Sequence, residues 1–236
     1  MLCGNIPPMF ETDTICAVST APGQGGIGII RVSGRDAIEI SSQVFRSRAG
    51  LALADAMTHT IHYGHVVDAA GEIIDEALVS IMRAPATYTR EDVVEINCHG
   101  GMMPLWRTVA VLVASGARQA EPGEFTKRAF LNGRIDLTQA EAVMDIISAK
   151  TELAHRSANE QLLGGLSKEV TTLRDRLIGI IASVEAGIDF PEEDIETQSG
   201  EPLVREIAAL ATEIAALQAS FAAGRILREG FAAAIE

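Results

Sequence analysis

Along the first half of the chain apolar residues tend to alternate with polar ones; along the second half they recur every three or four positions. The alternation predicts strands at 13–19 and 27–33, joined through the Pro/Gly-rich stretch 20–26 as a hairpin-like start. Ala37, Ile38, Ile40 and Val44 have the spacing of a short helix, and a looser stretch, 50–57, follows it. Two further apolar runs, 60–67 and 73–82, flank Asp68-Ala-Ala-Gly71 and predict a second hairpin, with another strand at 93–97. Pro104 stands near the start of a helix that uses Leu105, Val109, Leu112 and Val113, and Gly116 is placed to end it.

Beyond Pro122 the period changes from two to about 3.6 and strand signals disappear. Thr138 and Glu141 have the spacing of a capping box, opening a helix that carries Val143, Met144 and Ile147 on one face. Leu166, Val170, Leu173, Leu177, Ile180, Val184 and Ile188 form the stripe of a long helix packed along its length. Pro191 ends that helix, because the residue before a proline avoids helical geometry. After an acidic loop, Leu203, Ile207, Leu210, Ile214, Leu217 and Phe221 repeat the stripe. Two such helices need more apolar surface than they offer each other. The pattern predicts an α+β domain over residues 1–120, then an incomplete all-α bundle over 121–236.

Composition narrows the function. A net charge of −13 over 236 residues, with only 4% aromatics and a single Trp106, argues against a primary surface for RNA phosphates or a base-stacking platform. Cys3, Cys16 and Cys98 are odd in number, widely spaced and without a Cys-x-x-Cys pair, which predicts reduced thiols rather than a disulfide framework. The first ten residues lack a signal-peptide pattern, and no run of about 18 apolar residues occurs. A cytoplasmic protein without membrane association is expected.

The local motifs mostly exclude chemistry. Gly23-Gln-Gly25-Gly26-Ile-Gly28 contains a G-x-G-x-x-G, but its glycines run into a strand-like series instead of opening a helix. No acidic residue follows at ribose-binding distance, which disfavours a dinucleotide-dependent oxidoreductase. No G-x-x-x-x-G-K-[ST] exists, so this chain is not expected to hydrolyse GTP. His59, His62 and His65 alternate faces on a strand and are expected to be solvated or hydrogen-bonded; no metal site is expected. Cys98-His99-Gly100-Gly101 reads as a glycine-shaped turn with a structural histidine, since adjacent strand residues point apart. The acidic stretch 189–196 reads as a solvated face.

Longer blocks carry more. Ala21-Pro-Gly-Gln-Gly-Gly-Ile-Gly-Ile-Ile-Arg31-Val-Ser-Gly34 resembles the N-terminal signature of the tRNA-modification GTPases of the MnmE (TrmE) type. Glu91-Asp-Val-Val-Glu95-Ile-Asn-Cys-His-Gly-Gly101 is similar to a second block of that family, and residues 121–142, from Glu121-Pro-Gly-Glu to Gln-Ala-Glu-Ala142, to a third. Ile188-Asp-Phe-Pro-Glu-Glu193 and Leu227-Arg-Glu-Gly230 resemble later ones, all in the family's order.

The resemblance implies an N-terminal domain with a mixed β-sheet and flanking helices, similar to aminomethyltransferase-type folate domains. It implies a homodimer that binds 5-formyl- or methylene-tetrahydrofolate. It further implies a role in modifying the wobble uridine of tRNA at C5 to 5-carboxymethylaminomethyluridine, with a flavin-containing MnmG-type partner. GTP, Mg2+ and K+ belong to the family's GTPase domain, which is inserted after the Leu-Arg-Glu-Gly block, so the resemblance implies a chain stopping short of it; tRNA contact is then indirect. Matched by motif position, the folate-site residues are Arg31, Glu95 and Arg134, with Arg134 standing where the family more often has lysine. No catalytic residue is assigned. A carboxylate can accept the adjacent N–H donors of a pterin edge, and guanidinium groups can donate to the acceptors of the tail and one-carbon region. The rival expectation is a non-catalytic helical dimeric adaptor, although its stripes are short for a coiled coil and interrupted at Pro191.

Overall fold

The computed structural model describes residues 13–189 and 200–229, with side chains through 189 and over 200–220. The chain forms two compact units, the first running to Arg134 and the second starting at Ile135.

In the first unit seven strands form one mixed sheet: β1 (Ile15–Val18), β2 (Gly25–Ser33), β3 (Phe45–Ser47), β4 (Thr60–Val67), β5 (Ile73–Met82), β6 (Val93–Gly100) and β7 (Arg118–Gln119). Their order is β3-β4-β5-β6-β2-β1-β7, antiparallel throughout except for the parallel β1–β7 pair. The two hairpins expected from the pattern form, β1 with β2 and β4 with β5, the latter with the expected bounds. Because side chains alternate across a strand, Ile30 and Val32 of β2, Val79 and Ile81 of β5, and Val94 and Ile96 of β6 all enter one buried face. Two helices, α1 (Ala37–Val44) and α2 (Met102–Ala114), contribute Ile38, Ile40, Leu105, Val109 and Leu112 to the same core. Leu105 and Val109 pack half-buried against this core, and each of the fully buried aliphatic side chains contributes about 1.5–3 kcal/mol relative to exposure.

Differences from the sequence reading have local causes. Strand β6 continues to Gly100 because Gly100 pairs across from Gly25, an approach that a side chain at Gly100 would block. The short strands β3 and β7 carry too few residues to show a period. Helix α2 begins at Met102, which places Pro104 inside its first turn, and Val113 is 43% exposed instead of joining the core. His59 precedes β4 at a φ of 61°, so only His62 and His65 lie on a strand. Helix α3 (Glu124–Leu131) belongs to this unit. The compact division falls at 134, later in the chain than the change of period beyond Pro122.

The second unit is helical: α4 (Leu137–Ser148), α5 (Glu152–Leu162), α6 (Gly165–Asp189) and α7 (Glu201–Glu229). The capping box that opens α4 is made by Asp136 and Gln139, not by Thr138 and Glu141. Asp136 wins because its carboxylate accepts from the Gln139 N–H at 2.9 Å while the Gln139 side chain accepts from the Asp136 N–H at 3.0 Å. Thr138 donates its hydroxyl to the same carboxylate and bonds Ser167. The stripes of α6 and α7 are covered only in part. Ile180 and Leu210 are buried and Leu166, Leu173, Leu203 and Leu217 half-buried, whereas Val170, Leu177, Val184, Ile188, Ile207 and Ile214 stay exposed. Arg176 and Glu213 link the two helices at 2.6 Å. The expected stop at Pro191, the rest of the acidic loop and Gly230 lie outside the described residues, as does the side chain of Phe221.

Candidate functional site

The alternation that sends Ile30 and Val32 of β2 into the core turns Arg31 to the opposite sheet face. In the β2–β6 register Arg31 stands directly across from Glu95. The two side chains pair, Arg31 donating from Nε at 2.9 Å and from Nη2 at 2.7 Å, both to Oε1 of Glu95. Both are partly exposed, at 25% and 23%. The guanidinium carbon of Arg31 also lies 5.1 Å from the centre of the Tyr88 ring and 5.5 Å from that of Phe125, within cation–π range.

Arg134 arrives from a different part of the sequence. Helix α3 ends at Leu131, and the turn after it passes through Gly133 at a φ of 68°. Asn132 donates its side-chain amide to the Thr89 carbonyl at 2.7 Å, which ties this turn to the segment carrying Tyr88. The Arg134 guanidinium carbon thereby comes to 4.8 Å from the Tyr88 ring centre. All three residues expected from the sequence are brought together, Arg31 and Glu95 by direct bonds and Arg134 through the aromatic ring it shares with Arg31.

A rigid ionic base supports the arrangement. Arg128 of α3, 8% exposed, donates to Asp13 at 2.6 Å, to Glu124 at 3.1 Å and to Glu91 at 3.2 Å. Arg118 adds bonds to Glu124 at 2.6 Å and Asp13 at 2.5 Å. Ser33 joins Glu91 at 2.7 Å and Thr89 at 2.7 Å, so the network reaches the strand that carries Arg31 and the segment that carries Tyr88. Burial works to raise the Glu124 carboxyl, but bonds from Arg118, the Glu121 N–H and Arg128 outweigh it and hold the group at about 2. Asp13 is lowered by the same balance, burial opposed by Arg118 and Arg128.

Sequence reasoning missed Tyr88 and Phe125. Their only sequence signal is scarcity, because the chain has two tyrosines and seven phenylalanines, and Tyr88 and Phe125 stand close to or inside the second and third blocks. What they touch is fixed by pairing between distant segments.

Elsewhere the motifs resolve structurally. The glycines 23–28 lead into β2, not a helix. Cys98 faces the core, its thiol raised to about 11 by burial, while His99 projects from the other face and bonds Asp75 at 2.7 Å through Nδ1. The two are not a nucleophile–base pair. His59 and His62 bond Thr58 and Thr60. Among the described residues no group of three or more His, Cys, Asp and Glu is placed to hold a metal ion. No helix among them is long and apolar enough to cross a membrane.

Comparison with known proteins supplies the family. Residues 14–134 match the family described as the GTP-binding protein TrmE N-terminus, and residues 137–232 match the MnmE helical domain. The tRNA modification GTPase MnmE of Thermoanaerobacter pseudethanolicus is 51% identical over 224 residues, 94% of this chain and 49% of that protein. The protein of the same name from Geobacillus thermodenitrificans is 52% identical over 229 residues, covering 96% and 50%. That from Lactobacillus acidophilus is 50% identical over 228 residues, covering 96% and 49%. The chain thus spans about half the length of these relatives. With two family domains matched in order over nearly its whole length, and a sheet and helical unit where those domains fall, this chain belongs to the MnmE (TrmE) family of tRNA modification GTPases.

Proposed function

We propose that the first unit binds a one-carbon tetrahydrofolate at Arg31, Glu95 and Arg134, and that it serves tRNA modification as part of a dimeric GTPase. The observation that carries this reading is the convergence of two guanidinium groups, one of them paired to the Glu95 carboxylate, on one aromatic ring, from separate stretches of sequence. The donor set fits a reduced pterin. Glu95 receives both Arg31 bonds on Oε1, which leaves Oε2 to accept from a pterin amino or ring N–H. Arg134 and the outer edge of Arg31 donate to carbonyl, formyl or carboxylate oxygens. Tyr88 and Phe125 supply apolar faces for a planar ring. The bound folate would supply the one-carbon unit; the residues of this chain bind and orient it.

In this reading the whole protein acts with a flavin-containing MnmG-type partner on the wobble uridine of tRNA at C5 in the cytoplasm. GTP, Mg2+ and K+ serve a nucleotide-binding domain outside this chain. The described histidines and cysteines are left as structural groups. The exposed stripes of α6 and α7 are covered by further helical segments or by a second copy. A folate-free adaptor is the alternative; it leaves the half-exposed Arg31–Glu95 pair and its aromatic neighbours without a purpose.

Fluorescence titration of the full chain with 5-formyltetrahydrofolate tests the proposal. Saturable binding is expected, and Glu95→Ala should weaken it at least about tenfold, in line with the loss of a charge-assisted bond. A wild-type chain with no saturable signal would favour the adaptor. Binding unchanged by Glu95→Ala would reject the site.

A further inference from the structure

Tyr88 links the Arg31–Glu95 pair to a second feature, an open depression of about 570 Å3 whose lining includes Pro85, Thr87, Tyr88, Arg90, Gly133 and Arg134. Among the described residues no carboxylate lines it, in a chain whose net charge is −13. Two guanidinium groups, Arg90 and Arg134, are the charged groups of its lining and make this a locally cationic hollow on an acidic protein.

Arg90 is built into it. Its backbone holds a φ of 62°, a conformation that residues with side chains adopt rarely. Its Nη1 donates to the carbonyls of Asn132 and Gly133 at 3.2 and 3.1 Å, anchoring the guanidinium on the turn that presents Arg134. Among the described residues its Nε and Nη2 have no hydrogen-bond partner, which leaves these exposed donors open to an anionic ligand.

We propose that this depression receives the oligoglutamate tail of a polyglutamylated reduced folate, with Arg90 a specificity-determining residue for tail length alongside Arg134. The proposal rests on the folate reading above and adds the form of the substrate. A folate carries its carboxylates at the end opposite the pterin, so a site that takes the pterin at Glu95 needs a cationic exit for the tail. An open hollow suits a flexible tail of variable length, because each added residue brings one more carboxylate without needing a fitted pocket. RNA phosphates share the anionic chemistry, but the overall acidity of the chain and the absence of further aromatic lining favour the small carboxylate ligand.

The test compares 5-formyltetrahydrofolate carrying one and three glutamates on the full chain and on Arg90→Gly. Glycine accepts the positive φ without strain, so this variant removes the guanidinium while keeping the backbone. The triglutamate should bind the wild type roughly three- to tenfold more tightly, the range expected for partly exposed carboxylate–guanidinium contacts. In Arg90→Gly that ratio should fall towards one, and Arg90→Lys should restore part of it. A second reading needs no variant, because the wild-type ratio should shrink as salt is raised. Equal wild-type affinity for both forms, or a ratio unaffected by Arg90→Gly, overturns the proposal while leaving the folate site intact. Failure of both forms to bind removes the folate reading itself. Displacement of the triglutamate by a short RNA more readily than by free oligoglutamate would assign the hollow to phosphate instead.

Discussion

Among single residues, Arg128 carries the most structural weight. It is buried and satisfies three carboxylates at once, so replacing it leaves charges in a poorly solvated place. Arg128→Met is expected to cost about 3–5 kcal/mol in urea unfolding, the usual cost of removing one partner from a buried ionic group. A loss below about 1 kcal/mol would show that water reaches the network. The same groups set an acid limit. The folded Glu124 carboxyl lies at about 2, below its ordinary 4.5, so its contribution is complete above the ordinary value. It drains away as pH falls through that window, and Asp13 acts in the same direction. Unfolding free energy measured from neutral pH downwards should fall there, and Arg118→Ala should flatten the fall. His99 has the opposite sign. Its bond to Asp75 raises the imidazole, so the small stability it adds is present at acid pH and fades as pH rises through the raised value. An NMR titration of His99 should show a midpoint above 6.5 in the wild type and a drop in Asp75→Asn.

At the scale of elements, what could be read in advance follows from how much sequence each element uses. The β4–β5 hairpin was legible because two long runs flank Asp68 to Gly71, and Asp68 accepts from the Ala70 and Glu72 N–H groups to shape the turn. Strands β3 and β7 were not, because three or two residues carry no period and their existence depends on β4 and β1 being present to pair with. The cap of α4 lies two residues before the one the capping pattern suggests. Thr138 and Glu141 satisfy the capping pattern as letters, but Asp136 ends the preceding extended segment and reaches the N–H groups first. Gly100 closes the β2–β6 pairing at its far end. A Cβ there would lie 2.5 Å from the Gly25 carbonyl oxygen, a backbone atom that can move only if β2 and β6 separate. Gly100→Ala should therefore cost about 1–3 kcal/mol and loosen the strand end, seen as faster amide exchange at Gly25 and Gly28. Gly28→Ala should be milder, because its obstacle is the flexible end of Leu105.

Across the whole chain, the residues of the candidate site were legible as motif positions but their environment was not. Arg31 and Glu95 are partnered by strand register, and Tyr88 and Phe125 join them only once α3 and the 83–92 segment have folded onto the sheet. The helical unit leaves apolar side chains on α6 and α7 open, which predicts association. Sedimentation at rising concentration should show self-association, and substituting Ile207 and Ile214 by glutamine should reduce it if those stripes form the contact.

A crystal structure of this chain with 5-formyltetrahydrofolate bound decides whether Arg31, Glu95 and Arg134 form a folate site. The pterin edge is expected within hydrogen-bonding distance of Glu95 and the remaining acceptors within reach of Arg31 and Arg134. A folate seated on another face of the sheet, with Glu95 engaged only by Arg31, would contradict it.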